Sequence, residues 1–115
     1  MSKDEIQWAL LDDLWYKVNV DATIFSSTNS IGIGTLIRDH EGRVEAAISK
    51  SILIPLAPLE AEAKALEESV FFAWDVGVRD VIFKCDSRIV VEAVNDLCEP
   101  PTTIGNIIDD IRQKL

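Results

Sequence analysis

The sequence has few histidines and cysteines, and this shortage excludes several kinds of site. It contains one histidine and two cysteines in 115 residues. Cys85 lies inside an apolar segment and Cys98 follows another, without the short paired spacing of zinc or redox motifs, so both are expected to be free thiols. His40 lies in a predicted turn beside Gly42, where an exposed position is expected rather than a catalytic one.

Basic residues and long apolar runs are also scarce. Eleven Lys and Arg face 20 Asp and Glu, which gives a net charge of −9. Tight nucleic-acid binding is therefore not implied, because an acidic surface repels phosphate unless divalent ions or a local basic patch intervene. No apolar run is long enough to span a bilayer, and the charged start is unlike a signal peptide. We therefore expect no membrane association and an intracellular location, cytoplasmic or nuclear.

Apolar residues recur at three- and four-residue steps from Pro58 to Val76, which predicts one long helix ending at Gly77. At 100° per residue, Glu60 and Glu67 fall on the solvent side of this helix. Glu62 falls on or beside the buried stripe. A carboxylate that faces a core is costly unless it is paired or binds a metal, so Glu62 requires an explanation.

The segment Val81–Asp86 is β-branched and aromatic, which indicates a buried strand after the helix. Asp86 lies where this strand ends and a second helix begins, at Ile89. Two interpretations stay open. Asp86 or Ser87 caps the second helix, or Asp86 is one of several carboxylates that meet at strand ends around a cation. After Pro101 a third helix is predicted to continue to Leu115.

The first half of the domain predicts three strands in a meander. Residues 15–21 alternate apolar and polar, with Asp21 at the strand end, where a turn-forming role is the alternative to a functional one. Residues 22–30 are predicted to be a loop, and strands follow at 32–37 and 44–54. Residues 1–14 form an extension that is predicted to be helical because Ser2 and Glu5 match a capping box. The domain proper is 15–115.

These features together resemble the ribonuclease H fold, and more narrowly the plant reverse-transcriptase-like domain of retroelements and stand-alone plant proteins. The resemblance covers roughly residues 15 to 97. The matching pieces are Lys17-Val-Asn-Val-Asp21, Gly32-Ile-Gly-Thr-Leu-Ile-Arg-Asp39, Glu41-Gly42, Ala61-Glu62-Ala63-Lys64-Ala65, Gly77-Val78, Cys85-Asp86-Ser87 and Val90-Val91. The implied class is α/β: a mixed sheet of three antiparallel strands and then a parallel strand, with helices packed on it.

The resemblance implies an endonuclease that cuts the RNA strand of RNA–DNA hybrids. Asp21, Glu62 and Asp86 match the family's carboxylate positions. Two Mg²⁺ ions about 4 Å apart, with Mn²⁺ as a substitute, would activate water and stabilise the charge on the reacting phosphate. The partner would be an RNA–DNA hybrid or another nucleic acid, weakly bound because the chain is acidic.

The sequence departs from the family at two places. Ala22 stands where the family usually has Gly. The family's last strand and helix, with a histidine loop and a fourth aspartate, have no expected counterpart, because the sequence ends at Leu115 within the third helix. Asp109 and Asp110 lie on that helix, do not match the fourth position and fit surface charges. The strand Val81–Asp86 would then be a bare sheet edge, which invites pairing with a second copy of the chain. The alternatives are a catalytically incomplete, retroelement-derived module that binds nucleic acid or protein, and a purely structural domain.

Overall fold

The computed structural model describes residues 5–8 and 15–115, and within 5–8 the side chain described is that of Ile6. The predicted chain order from residue 15 onward is confirmed: three strands, a long helix, a strand and two helices. Short 3₁₀ turns precede β3 and α3. The elements are β1 (Glu5–Trp8), β2 (Tyr16–Phe25), β3 (Ser30–Arg38), β4 (Val44–Ile52), α1 (Pro58–Val76), β5 (Val81–Lys84), α2 (Arg88–Val94) and α3 (Gly105–Lys114).

The strands form one mixed sheet in the order β1-β5-β2-β3-β4. Strands β2, β3 and β4 form the predicted antiparallel meander, and β5 pairs parallel with β2. The parallel pairing requires a crossover, which α1 provides. The predicted α/β class and its mixed sheet are thus confirmed. Within the described residues, no helix is long and apolar enough to cross a membrane.

The core lies between the sheet and the helices. Alternate residues of β2 are buried, whereas Lys17, Asn19 and Asp21 are exposed on the opposite side of the sheet, which we call the open face. Helix α1 packs across β2 and β3, and α3 packs against α1. The buried side chains that join these elements include Val18, Val20, Ile31, Ile33, Ile37, Leu66, Val70, Phe83, Val90, Ile104, Ile108 and Ile111.

The first strand of the meander is longer than predicted. Strand β2 continues four residues beyond Asp21 to Phe25, and this stretch pairs with β3 from Ala22↔Ile33 to Phe25↔Ser30. The loop predicted over residues 22–30 is therefore wrong for residues 22–25 and for Ser30. Its Ser, Thr and Asn content is typical of loops, but cross-strand pairing with β3 overrides that local preference. As a result, Asp21 lies within a strand rather than at its end.

The predicted amino-terminal helix is wrong at residues 5–8, and the remaining residues of that prediction lie outside the described part of the chain. Residues Glu5–Trp8 form β1, which pairs antiparallel with β5. Ile6 lies opposite Phe83, and both side chains are buried. A single buried apolar side chain and a free strand edge favour the strand over a short isolated helix.

The pairing of β1 with β5 also corrects the predicted sheet edge. Because β1 covers the outer edge of β5, the Val81–Asp86 segment is not bare, and the homodimer expected through that edge has no support. The strand at this edge of the sheet is β1, which precedes the other strands in the chain.

Glu67 is buried, although its helical position predicts exposure. It is 4% exposed, and Lys64 Nζ donates a 2.8 Å hydrogen bond to its carboxylate. That hydrogen bond raises the pKa of Lys64. The prediction fails because α3 packs against α1 and removes part of the helix surface from water.

Candidate metal centre

Asp21 lies on the open face of β2, directly opposite Gly34 of β3. Its side chain is exposed. A Cβ atom at residue 34 would stand 3.8 Å from the Cβ of Asp21, so the absence of a side chain at Gly34 leaves the flank of the carboxylate open. The structure thus places Asp21 on strand β2 with room for a ligand beside it.

Asp86 lies next to Asp21 because of the parallel register of β2 and β5. Asn19 of β2 is paired with Lys84 of β5, and two further residues along each chain bring Asp21 and Asp86 to the same end of the sheet. Both aspartates line one cleft of about 460 Å³. Parallel neighbouring strands therefore bring together two acids that are far apart in the sequence.

Ser87, not Asp86, caps the second helix. Its hydroxyl accepts a 3.3 Å hydrogen bond from the Val90 backbone N–H, which is the usual role of an N-cap serine. The cap interpretation is thus confirmed for Ser87 and wrong for Asp86, whose carboxylate is exposed. This settles one of the alternatives that the sequence left open.

Glu62 enters the same region from the first turns of α1. The helix begins with Pro58, and the Glu60 carboxylate accepts a 3.2 Å hydrogen bond from the Ala57 backbone N–H. Two residues later, Glu62 is partly buried. Burial raises the pKa of Glu62, and the negative charges of Asp86 and Asp21 raise it further. Glu62 therefore lies within electrostatic range of both aspartates.

A buried hydroxyl pair helps to fix α1 on the sheet. Thr35 Oγ1 and Ser69 Oγ are 2.7 Å apart, and both side chains are buried. Thr35 follows Gly34, the residue opposite Asp21. The contact ties the helix that carries Glu62 to the strand beside Asp21. Sequence reasoning missed this pair, because its two members are 34 positions apart in the chain.

The three carboxylates do not form a ready-made coordination shell. Across residues 5–8 and 15–115, no three His, Cys, Asp or Glu side chains are grouped closely enough to hold a metal ion. The donor set nevertheless suits a hard cation, since all three groups present carboxylate oxygens and two of them raise the pKa of the third. A divalent cation would offset that repulsion and draw the side chains together.

The other polar residues considered from the sequence lie outside this group. His40 is exposed on the β3–β4 turn, with its Nε2 3.6 Å from the Glu41 carboxylate. Asp109 and Asp110 are exposed on α3. These positions confirm the expected turn histidine and helix-surface charges.

Comparison with known proteins gives a family and a fold. A family model described as reverse transcriptase-like matches residues 19–115. Comparison with curated proteins gives no significant match. Among solved structures, RNase H1 from the halophilic archaeon Halobacterium salinarum is 17% identical, with a TM-score of 0.78 over 88% of this chain and 76% of that chain.

Two further structures agree with this result. The N-terminal RNase H domain of a Mycobacterium tuberculosis protein, solved as a fusion with maltose binding protein, is 16% identical, with a TM-score of 0.75 over 88% of this chain and 73% of that one. LC11-RNase H1 in complex with an RNA/DNA hybrid is 18% identical, with a TM-score of 0.74 over 86% of this chain and 75% of that chain. These likenesses establish the shared fold.

Proposed function

The chain belongs to the reverse transcriptase-like family, and from that membership we propose that it is a nuclease domain of the ribonuclease H type. Its substrate would be an RNA–DNA hybrid, and its reaction would be hydrolysis of the RNA strand. Asp21, Glu62 and Asp86 are the proposed site residues. A plant or retroelement origin remains a prediction from the resemblance.

The observation that carries this proposal is the position of Asp21 and Asp86 on one cleft, with Glu62 of α1 close enough for both charges to raise its pKa. Burial contributes most, and Asp86 and Asp21 add to it. A fold that only needed a helix surface would gain nothing from placing a third acid near two others, because like charges at short range are destabilising. Such an arrangement is typical of functional sites, where a bound cation or substrate offsets the repulsion.

Mg²⁺ is the proposed cofactor, and Mn²⁺ is an acceptable substitute. When bound, such an ion would supply charge neutralisation at the phosphate and a more acidic water. Asp21 and Asp86, both exposed, would hold the ion from the sheet, and Glu62 would hold it from α1. These oxygens suit Mg²⁺, which needs few protein ligands because it keeps several of its waters.

The charge of the chain bears on substrate affinity. At a net charge of −9, long-range attraction to phosphate is absent, so hybrid binding should be weak and should depend on the divalent ion. One structural neighbour was solved in complex with an RNA/DNA hybrid, which supports this substrate class for the proposal. An intracellular location, nuclear or cytoplasmic, fits a nucleic-acid substrate and two free thiols.

A second candidate is a module that binds nucleic acid or protein without cutting. Two observations favour it: the acidic balance, and the lack, in the described residues, of a preassembled group of metal ligands. In this case the carboxylates would bind a divalent ion weakly and the chain would not turn over hybrid.

The deciding experiment compares hydrolysis of a labelled RNA–DNA hybrid in Mg²⁺ and in EDTA. We expect cutting by the wild type in Mg²⁺, none in EDTA, and none by Asp86→Asn. Asp109→Asn is the matched control, because it removes the same charge from an exposed position on α3. A wild type that does not cut but binds Mg²⁺ in a titration supports the module, and a wild type that neither cuts nor binds Mg²⁺ rejects both.

A further inference from the structure

Phe25 is an exposed aromatic side chain on the open face of the sheet. It is the last residue of β2. It lies on the same side of the strand as Thr23 and Asp21, because every second residue of a strand shares a face. The residue is 46% exposed. One ring carbon lies 2.9 Å from the point where a Cβ atom of residue 32 would stand. Gly32 therefore leaves the space that the ring occupies.

A groove joins this ring to the candidate metal centre. It has a volume of about 560 Å³ and runs from Asp21 to Phe25. It shares Asp21 and Gly34 with the cleft that contains Asp86. Its other walls come mainly from hydroxyl-bearing side chains, namely Thr23, Ser49 and Ser51. Hydroxyl groups and glycine backbone suit close contact with a sugar–phosphate chain.

The groove has little positive charge to attract phosphate. Among the described residues, the one basic residue on its wall is Lys50, whose ammonium lies 3.1 Å from the Glu68 carboxylate. Affinity for a nucleic-acid strand would therefore have to come from an uncharged source. Stacking of a base on an aromatic ring is such a source, and it tolerates any base because each has a π-face.

From these observations we propose that Phe25 is a stacking platform for an unpaired base of the strand that crosses the candidate metal centre. The proposal rests on the proposed nuclease function and extends it. Phe25 lies four residues beyond Asp21, a distance of about 13 Å along the strand. This distance matches about four stacked nucleotides. The preferred substrate is then a hybrid whose RNA strand continues as a single strand past the duplex.

The test measures binding by fluorescence anisotropy with Ca²⁺ in place of Mg²⁺, because Ca²⁺ also binds carboxylate oxygens and Asp86 can then be kept. A gel of each sample confirms that the RNA stays uncut. Three hybrids are compared: one is blunt, one has an RNA strand extended by several unpaired nucleotides at the 5′ end, and one has the same extension at the 3′ end. With Phe25 intact, one extended hybrid should bind about 5- to 150-fold more tightly than the blunt one. Phe25→Ala should remove that preference without changing the affinity for the blunt hybrid.

Three further variants control the result. Phe25→Trp should keep the preference, because it keeps an aromatic face. Gly32→Ala should weaken it, because the added Cβ displaces the ring. Ile24→Ala removes a neighbouring side chain that is 38% exposed and should leave the preference intact. Circular dichroism confirms that each variant is folded.

The outcomes separate this inference from the proposed function. Equal binding of blunt and extended hybrids, or an equal loss of both in Phe25→Ala, overturns the stacking role while leaving the nuclease proposal standing. Failure of every hybrid to bind overturns both.

Discussion

Asp39 and Glu62 both have restricted access to water, but their surroundings shift their pKa values in opposite directions. Asp39, in the β3–β4 turn, accepts three hydrogen bonds of 2.9 Å, from the backbone N–H groups of Glu41 and Arg43 and from Arg43 Nε. The backbone of Arg43 contributes most to lowering the pKa of Asp39, with Arg43's side chain and Glu41 adding to it. Glu62 instead meets two other acids, and its pKa is raised.

The carboxylate of Asp39 therefore stabilises the fold, whereas the carboxylate of Glu62 destabilises it. The donors around Asp39 close a turn in which Gly42 has a positive φ of 83°. Glu62 instead loses water by burial and meets the negative charges of Asp86 and Asp21, all of which raise its pKa. Charge left uncompensated in this way costs stability, and it is retained where a ligand supplies the missing charge.

The largest expected difference between the two is in catalysis. Glu62→Gln should lower hybrid hydrolysis about a thousand-fold or more, because losing a metal ligand removes several kcal/mol of transition-state stabilisation. Asp39→Asn should leave the rate near the wild-type level. Initial rates with labelled hybrid in Mg²⁺ decide this, and equal losses in the two variants would contradict the proposed division of roles.

The stabilities should change in opposite directions. In EDTA, Glu62→Gln should raise the melting temperature by a few degrees, because it removes one of three mutually repelling charges. Asp39→Asn should lower it, because the donors of Glu41 and Arg43 lose a charged acceptor. Thermal unfolding followed by circular dichroism tests this. A lower melting temperature for Glu62→Gln would mean that its carboxylate makes a stabilising contact.

Mg²⁺ should stabilise the wild type through the candidate metal centre. At a Mg²⁺ concentration ten times the dissociation constant, the gain is about 1.4 kcal/mol. Glu62→Gln should lose this gain and Asp39→Asn should keep it. Melting temperatures across a Mg²⁺ titration measure the effect, and the same titration with a monovalent salt controls for ionic strength. An unchanged response in Glu62→Gln would place Mg²⁺ elsewhere on the chain.

The smallest effect is the pH dependence of stability in EDTA. Glu62 has a folded-state pKa above its ordinary value of 4.5, so its ionisation destabilises the fold as pH rises through that raised pKa. The advantage of Glu62→Gln should thus vanish below pH 4.5 and grow above it. The effect of Asp39 on stability has the opposite sign. Its carboxylate stabilises the fold fully above pH 3.8, the ordinary pKa of an aspartate, and this stabilisation is lost as pH falls through the lowered pKa of Asp39. Parallel slopes for the two variants would contradict both assignments.

Local sequence pattern was sufficient for the elements whose periodicity is long and clean. The 19-residue helix α1 and the placement of Glu62 on its apolar side follow from the 3.6-residue period. Strand β5 follows from its β-branched and aromatic residues. The three carboxylates could be named because their family positions agreed with these elements.

The misplaced elements depend on contacts between distant segments. Glu5–Trp8 became a strand because β5 offers an edge, and no window of residues 1–14 contains that information. The end of β2 extends to Phe25 because β3 pairs with it. The Thr35–Ser69 hydrogen bond likewise joins residues 34 positions apart. Local composition cannot report such pairings, which the sheet register decides.

The antiparallel register of β1 has a practical consequence for handling the protein. Glu5 stands beside Lys84, two residues before Asp86. An expression clone that starts at the family boundary, residue 19, would lack the outermost strand and the beginning of a central one.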